Sequence, residues 1–161
     1  MIYPELSDLV PLLPPMRGLM GLDLGTKTIG VALSDRLLTS ASALETVKRK
    51  KFGVDADALA ALIAKHEICG IVLGLPRNMD GSEGPRAQAT RAFALNLSRR
   101  PDFAELPITF WDERLSTVAA ERALIEADTT RKRRSEVIDA VAASYILQGA
   151  LDRMRHLRAG I

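Results

Sequence analysis

A chain of 161 residues, 47% hydrophobic and 26% charged, has the size and balance of one soluble globular domain, which argues against two domains. Charges or prolines interrupt every apolar run before it reaches the roughly 18 residues of a membrane span. The net charge of +2 conceals a clustered distribution: eight of the 22 basic residues form two runs, KRKK at Lys48–Lys51 and RKRR at Arg131–Arg134, and such clusters attract phosphate backbones.

The single cysteine, Cys69, excludes an intrachain disulfide, and no basic and apolar leader opens the chain. A cytoplasmic location is therefore expected. Residues 1–16, with four of the eight prolines, are expected to form an extended N-terminal arm, and 17–161 the folded domain.

Two short apolar runs between Leu19 and Leu33 flank a glycine-led turn, Gly25–Thr28, and predict an antiparallel hairpin. A third strand is predicted at Ala43–Val47. The segment DADALAALIAKHE places Leu59, Leu62, Ile63 and His66 at helical spacing, and CGIVLGL after it reads as a buried strand. A turn-rich loop, PRNMDGSEGP, leads into a helix from Pro85 to Ser98 with Ala89, Phe93 and Leu97 inward. PITFW is the next strand and DER its exit. Ser116 is the N-cap of a helix to about Glu126, and a last helix runs from about Ser135 to Met154 with Ile138, Ala142, Tyr145 and Gly149 along one stripe. Strands that come first in succession and later alternate with helices imply an α/β fold with a mixed sheet.

Three acids break this pattern. Asp23 lies within a strand apolar on both sides, where an isolated carboxylate costs several kcal/mol unless compensated. Hairpin counting sets it opposite Gly30, leaving room for a ligand such as a metal; capping a backbone N–H or pairing with Lys27 is the alternative. Asp139 shares its helix face with Ala143, Ile146 and Ala150, a small apolar surface, although a first-turn acid is also favoured by the helix dipole. Glu113 and Asp112 both follow a strand, at the sheet end where α/β proteins gather ligands, and spacing does not choose between them. Acids on three separate elements, with no nucleophilic Ser or Cys near a His, point to oxygen-ligated Mg²⁺ or Mn²⁺. His66, His156 and Cys69 receive no role.

Taken together, GLDLGTKTIGVALSD, GLPRNMDGSEG, DERLST and VIDAVAASYIL resemble, in that order, the YqgF (RuvX) family of RNase H-like nucleases, Holliday junction resolvase-like proteins linked to pre-16S rRNA processing. The resemblance spans about Arg17 to Leu151. It implies an RNase H-like, RuvC-type mixed sheet flanked by helices. It also implies a divalent-metal nuclease site at Asp23, Glu113 and Asp139, and it is the resemblance that selects Glu113 over Asp112. Two Mg²⁺ or Mn²⁺ ions about 4 Å apart would then activate water and stabilise the departing oxygen. Asp23 would bridge both, with Glu113 and Asp139 completing one side each.

Nucleic acid is the expected partner. Arg131, Lys132, Arg133 and Arg134 would hold its backbone, Lys27 and Arg114 are further candidates for phosphate contact, and Asn78 sits in a loop expected to wall the groove. The Lys48–Lys51 run is expected at the far edge of these motifs. The resemblance favours maturation of the 5′ end of 16S rRNA precursor, with a pre-ribosomal particle as a further partner and branched DNA as the alternative substrate. Monomer and homodimer both remain open. LDLGTKTIG also resembles the phosphate hairpin of the actin and sugar kinase superfamily, but those proteins use two such domains. A non-catalytic RNA-binding assembly factor is the remaining alternative.

Overall fold

The computed structural model describes residues 1–115 and 131–160, residues 131–138 by backbone alone. The helix predicted from Ser116 lies outside the described residues. Five strands form one sheet: β1 (Gly18–Leu24), β2 (Thr28–Ser34), β3 (Ala41–Lys48), β4 (Ile68–Leu75) and β5 (Ile108–Asp112). Their order is β3-β2-β1-β4-β5, antiparallel across β3, β2 and β1 and parallel from β1 through β4 to β5. The predicted mixed sheet is thus present. β1 and β4 sit inside the sheet and are buried along their full lengths, which is why both read as continuous apolar runs.

Among the described residues the α-helices are a single turn α1 (Leu6–Leu9), α2 (Phe52–His66), α3 (Pro85–Ser98) and α4 (Arg131–Arg158). Alternation along the strands sorts the core into two layers. Met20 and Leu22 of β1, Ile29 and Val31 of β2 and Ile71 and Leu73 of β4 pack with Ala56 and Leu59 of α2 and Phe93, Ala94 and Leu97 of α3. On the other face Leu19, Ala32, Val72 and Trp111 meet Ala142, Ala143, Ile146, Leu147, Ala150 and Met154 of α4.

The face turned to α4 is lined by small residues. A β-carbon added to Gly21 would lie 2.7 Å from the Leu147 Cβ, and on the helix itself one added to Gly149 would meet the Trp111 ring at 2.9 Å. The long helix can therefore lie almost directly on the sheet. Its most buried side is the one bearing Ala143, Ile146 and Ala150, whereas Tyr145 and Gly149 of the predicted stripe are only half-buried.

Several boundaries differ from the sequence reading. α2 begins at Phe52, and Asp55 in its first turn is buried because its carboxylate accepts the Lys50 N–H at 2.8 Å. In α3, Ala89 is exposed, and Ala87, Thr90, Phe93, Ala94 and Leu97 are the inward residues. Steps of four from Phe93 drift around a 3.6-residue helix, so the spacing places Phe93 and Leu97 correctly but not Ala89.

Helix α4 starts at Arg131, so the backbone of the RKRR run is helical instead of forming the entering loop. The N-terminal arm is bound to the domain. Ile2 bridges Ile108, Tyr3 N–H donates to the Ile108 carbonyl at 2.8 Å, and Leu6 and Leu9 enter the α4-side core. Proline spacing hid this, because two buried leucines in one short turn carry no readable periodicity.

Candidate active site

The carboxyl ends of β1, β4 and β5, the start of β2 and the end of β3 all fall at one end of the sheet. Asp23 is the penultimate residue of β1, only 4% exposed, and pairs across the ladder with Gly30 as hairpin counting predicts. The space at Gly30 is not left for a ligand, however. A β-carbon there would fall on the Asp139 carbonyl and within 2.8 Å of the Ala140 nitrogen. The glycine admits the backbone of α4, and the residue it brings against the hairpin is the second of the three acids. Asp139 in turn accepts the Thr28 hydroxyl of β2.

Glu113 reaches the same place from the other side. β5 ends at Asp112 and the chain turns at once into a 3₁₀ turn, Glu113–Leu115. This directs the Glu113 carboxylate across β4, where its Oε1 would stand 2.7 Å from a β-carbon on Gly74. Asp23 and Glu113 line one cavity of about 180 Å³ with Leu24, Gly74, Pro76 and Arg86. Arg86 belongs to no motif singled out in the sequence. Its only sequence signal is its position, one residue after the proline that opens a helix.

Asp112, the neighbour that spacing could not separate from Glu113, has a different occupation. Arg114 donates Nη2 to its Oδ2 at 2.7 Å and its own backbone N–H to Oδ1 at 3.0 Å. These bonds hold the Asp112 carboxyl below the ordinary carboxylate range. Arg114 also donates to the Met79 carbonyl at 3.4 Å, so it braces the loop between β4 and α3. In that loop Asn78 donates Nδ2 to Ser82 Oγ at 3.0 Å, and Glu83 is held by Arg91 at 2.8 Å. The loop does stand at the Glu113 end of the sheet, because β4 and β5 are parallel. Arg114 and Asn78 both serve its shape.

Lys27 is exposed in the hairpin turn. The Lys48–Lys51 run, expected at the far edge of the motifs, begins directly beside it. Lys48 pairs with Thr28, and the Arg49 N–H donates to the Lys27 carbonyl at 2.9 Å. The antiparallel return of β3 is the reason, since it carries residues distant in sequence back to the start of β2. The Arg49 guanidinium donates to the Gly25 carbonyl at 2.6 Å and lies over the Phe93 ring. The side chains of Arg131, Lys132, Arg133 and Arg134 lie outside the described residues.

The family model of RuvX, described as Holliday junction resolvase, matches residues 17–153. The chain belongs to the RuvX family. A "Putative pre-16S rRNA nuclease" of Jannaschia sp. (strain CCS1) is 86% identical over 99% of both chains. A protein of the same name from Ruegeria pomeroyi is 69% identical over 98% of this chain and 100% of its own. Among solved structures, Thermus thermophilus RuvC in complex with a Holliday junction substrate aligns with a TM-score of 0.55 at 13% identity, over 89% of this chain and 96% of that one. At that identity the likeness concerns the fold, and it makes this sheet and its helices RNase H-like, as the motifs of this RuvX chain had implied.

The acids of this RuvX protein suit a hard divalent cation in donor type, all being carboxylate oxygens. Asp23 and Glu113 already face one cavity. Among the described residues no three His, Cys, Asp or Glu side chains are gathered closely enough to hold a metal ion; the Asp139 carboxylate accepts the Thr28 hydroxyl. Among the described residues no helix is long and apolar enough to cross a membrane.

Proposed function

We propose that this protein is a divalent-metal-dependent nuclease of the cytoplasm that hydrolyses phosphodiester bonds of 16S rRNA precursor at its 5′ end, on the free RNA or within a pre-ribosomal particle. The observation that carries this is the meeting of Asp23 and Glu113 at one cavity, with the backbone of Asp139 seated on Gly30, the ladder partner of Asp23. The relatives of 86% and 69% identity named for pre-16S rRNA support the choice of substrate.

Asp23, Glu113 and Asp139 would hold Mg²⁺ or Mn²⁺. When bound, such ions acidify the attacking water and neutralise charge on the leaving oxygen. The chain's own residues set the frame. Burial of Asp23 on a central strand fixes one carboxylate, and the turn at Glu113 opposes a second to it across Gly74. The Thr28 hydroxyl holds the third. The hairpin turn with Lys27, and Lys48–Lys51 beside it, provide positive charge along which a phosphate backbone is drawn to the acids.

Cleavage of branched DNA is the second reading, favoured by the family's description and by the RuvC-like sheet. A resolvase needs two such sites and hence a dimer, whereas a processing nuclease can act as a monomer. The test offers the purified protein precursor rRNA, a four-way junction and plain duplex side by side, with Mn²⁺ or with EDTA. Cleavage of the RNA alone, and only with Mn²⁺, is the expected result. Asp23→Asn, Glu113→Gln and Asp139→Asn should each abolish it while leaving binding largely intact, and normal cleavage by any one of them removes that residue from the site.

A further inference from the structure

Among the described residues, the cavity walled by Asp23 and Glu113 has one cationic residue in its lining, Arg86. Its place is set by the chain. Pro85 occupies the first turn of α3, where a missing N–H costs nothing, and Arg86 follows it. From there the guanidinium reaches the end of β1 and donates Nη2 to the Leu24 carbonyl at 3.1 Å.

Among the described residues, Arg77 and Arg91 by the loop between β4 and α3 are engaged with Glu83, and Arg114 with Asp112, while Arg49 at the end of β3 donates to the Gly25 carbonyl. The bond described for Arg86 is to a neutral carbonyl. A guanidinium carries five N–H donors, so that one bond orients the group without exhausting it. The acceptor belongs to the residue next to Asp23, so one stretch of β1 positions both the acid and the cation.

A guanidinium next to metal-type carboxylates opposes cation binding and favours an anion. The planar fork of Arg matches the two non-bridging oxygens of a phosphodiester. Resting on the nuclease reading above, we propose that Arg86 is a substrate-binding residue that grips the non-bridging oxygens of a phosphodiester entering the cavity beside Asp23 and Glu113. It holds the phosphate from the α3 side while the acids face it from the sheet, and it takes no part in holding metal.

The test uses the full chain and compares Arg86→Ala, Arg86→Gln and Arg86→Lys with the parent. Affinity for a fluorescent single-stranded RNA is measured with Ca²⁺ over a range of salt, Mn²⁺ affinity is measured by calorimetry, and melting is followed alongside. Arg86→Ala should weaken RNA binding by about 10- to 100-fold, as expected on removal of a charge-assisted bond, and lower the log–log salt slope by about 0.7. Arg86→Gln, which retains a donor for the Leu24 carbonyl, should bind RNA as weakly yet melt with the parent. Arg86→Lys should fall between.

Mn²⁺ affinity should be unchanged or higher in all three variants, because none of them gives up a metal ligand and the Ala and Gln variants also remove a nearby positive charge. Parent-like RNA affinity in the Ala and Gln variants overturns the proposal. So does Mn²⁺ affinity that falls in step with RNA affinity, which would make Arg86 a prop for the Asp23 strand. A parent that binds RNA but cleaves none of the three substrates with Mn²⁺ defeats the nuclease reading, and the binding comparison still decides the role of Arg86.

Discussion

The two sides of the acid cavity are built by different means. On the hairpin side, Gly30 lets the backbone of α4 lie against β2 and thereby sets Asp139 beside Asp23. On the loop side, Gly74 makes room for side-chain ends, those of Glu113 and Ile146, and the surrounding loop is tied by ion pairs through Asp112, Arg114, Glu83 and Arg91. Backbone against backbone cannot yield, whereas a carboxylate or a terminal methyl can rotate. The hairpin side therefore fixes where the acids are, and the loop side adjusts how one of them is presented.

Gly30→Ala is expected to have the largest effect. The added methyl meets the Asp139 carbonyl carbon and oxygen and the Ala140 nitrogen, so α4 must lift along the whole face it covers. Overpacking usually costs about 1–3 kcal/mol when side chains can shift, and here they cannot absorb the strain, so a loss at or beyond the top of that range is expected. Urea unfolding gives the value. A loss under about 1 kcal/mol would mean that the helix rides freely on the sheet, and the contrast between the two sides would fail.

Gly74→Ala sharpens the comparison. Its methyl would meet the Ile146 side chain and, at 2.7 Å, the Glu113 Oε1. Stability should fall by about 1–2 kcal/mol, and cleavage should fall much further than stability because the carboxylate has been displaced. Adding Ile146→Val removes the Cδ1 contact, the tighter of the two with Ile146, but not the one with Glu113. The double variant should thus regain most of the stability and little of the cleavage rate, a non-additivity that melting and kinetics on four proteins would measure. Recovery of both together would assign the whole effect to packing.

How much of this was legible beforehand differs from residue to residue. The Asp23–Gly30 pairing followed from hairpin counting, and the mixed sheet from strands in succession and then in alternation with helices. The contents of the space at Gly30 could not be read, because they depend on a helix more than 100 residues away that packs on the sheet only in three dimensions. Burial alone was also an ambiguous sign: Asp55 is as deeply buried as Asp23, yet its carboxylate accepts the Lys50 N–H just ahead of α2. Arg86 carried no signal, since a lone arginine after a helix-opening proline is ordinary. The Lys48–Lys51 run was misplaced because sequence distance from the motifs stood in for distance along the sheet.

That run now supplies a prediction of moderate size on the hairpin side. Replacing Lys48–Lys51 by Ser should weaken RNA binding and lower its salt slope, by about 0.7 for each phosphate that is no longer neutralised. Arg49 carries a structural share as well, through the Gly25 carbonyl and the Phe93 ring, so sparing it separates the two contributions. An unchanged slope would leave the run solvated and the hairpin side without a phosphate track.

The smallest expected effect lies on the loop side and depends on pH. Arg114 holds the Asp112 carboxyl below its ordinary range, and a carboxylate whose folded pKa is depressed adds stability above its unfolded pKa, near 3.9. That contribution is complete at neutral pH and is lost as pH falls through the depressed folded value, because protons then bind the unfolded chain first. Arg114→Ala removes the cause of the depression. The pair is partly exposed, with side chains 29% and 16% accessible, so solvent screening keeps the difference at pH 7 small. It should shrink through the acid range below about pH 4. Gly30→Ala, whose cost is steric, should carry the same deficit at both ends of that range. Melting or urea titrations of the three proteins at pH 7 and pH 3.5 separate the cases. An Arg114→Ala deficit that persists undiminished in acid would show that Arg114 acts through the Met79 carbonyl and simple packing, and the loop side would then be braced by the same kind of fixed contact as the hairpin.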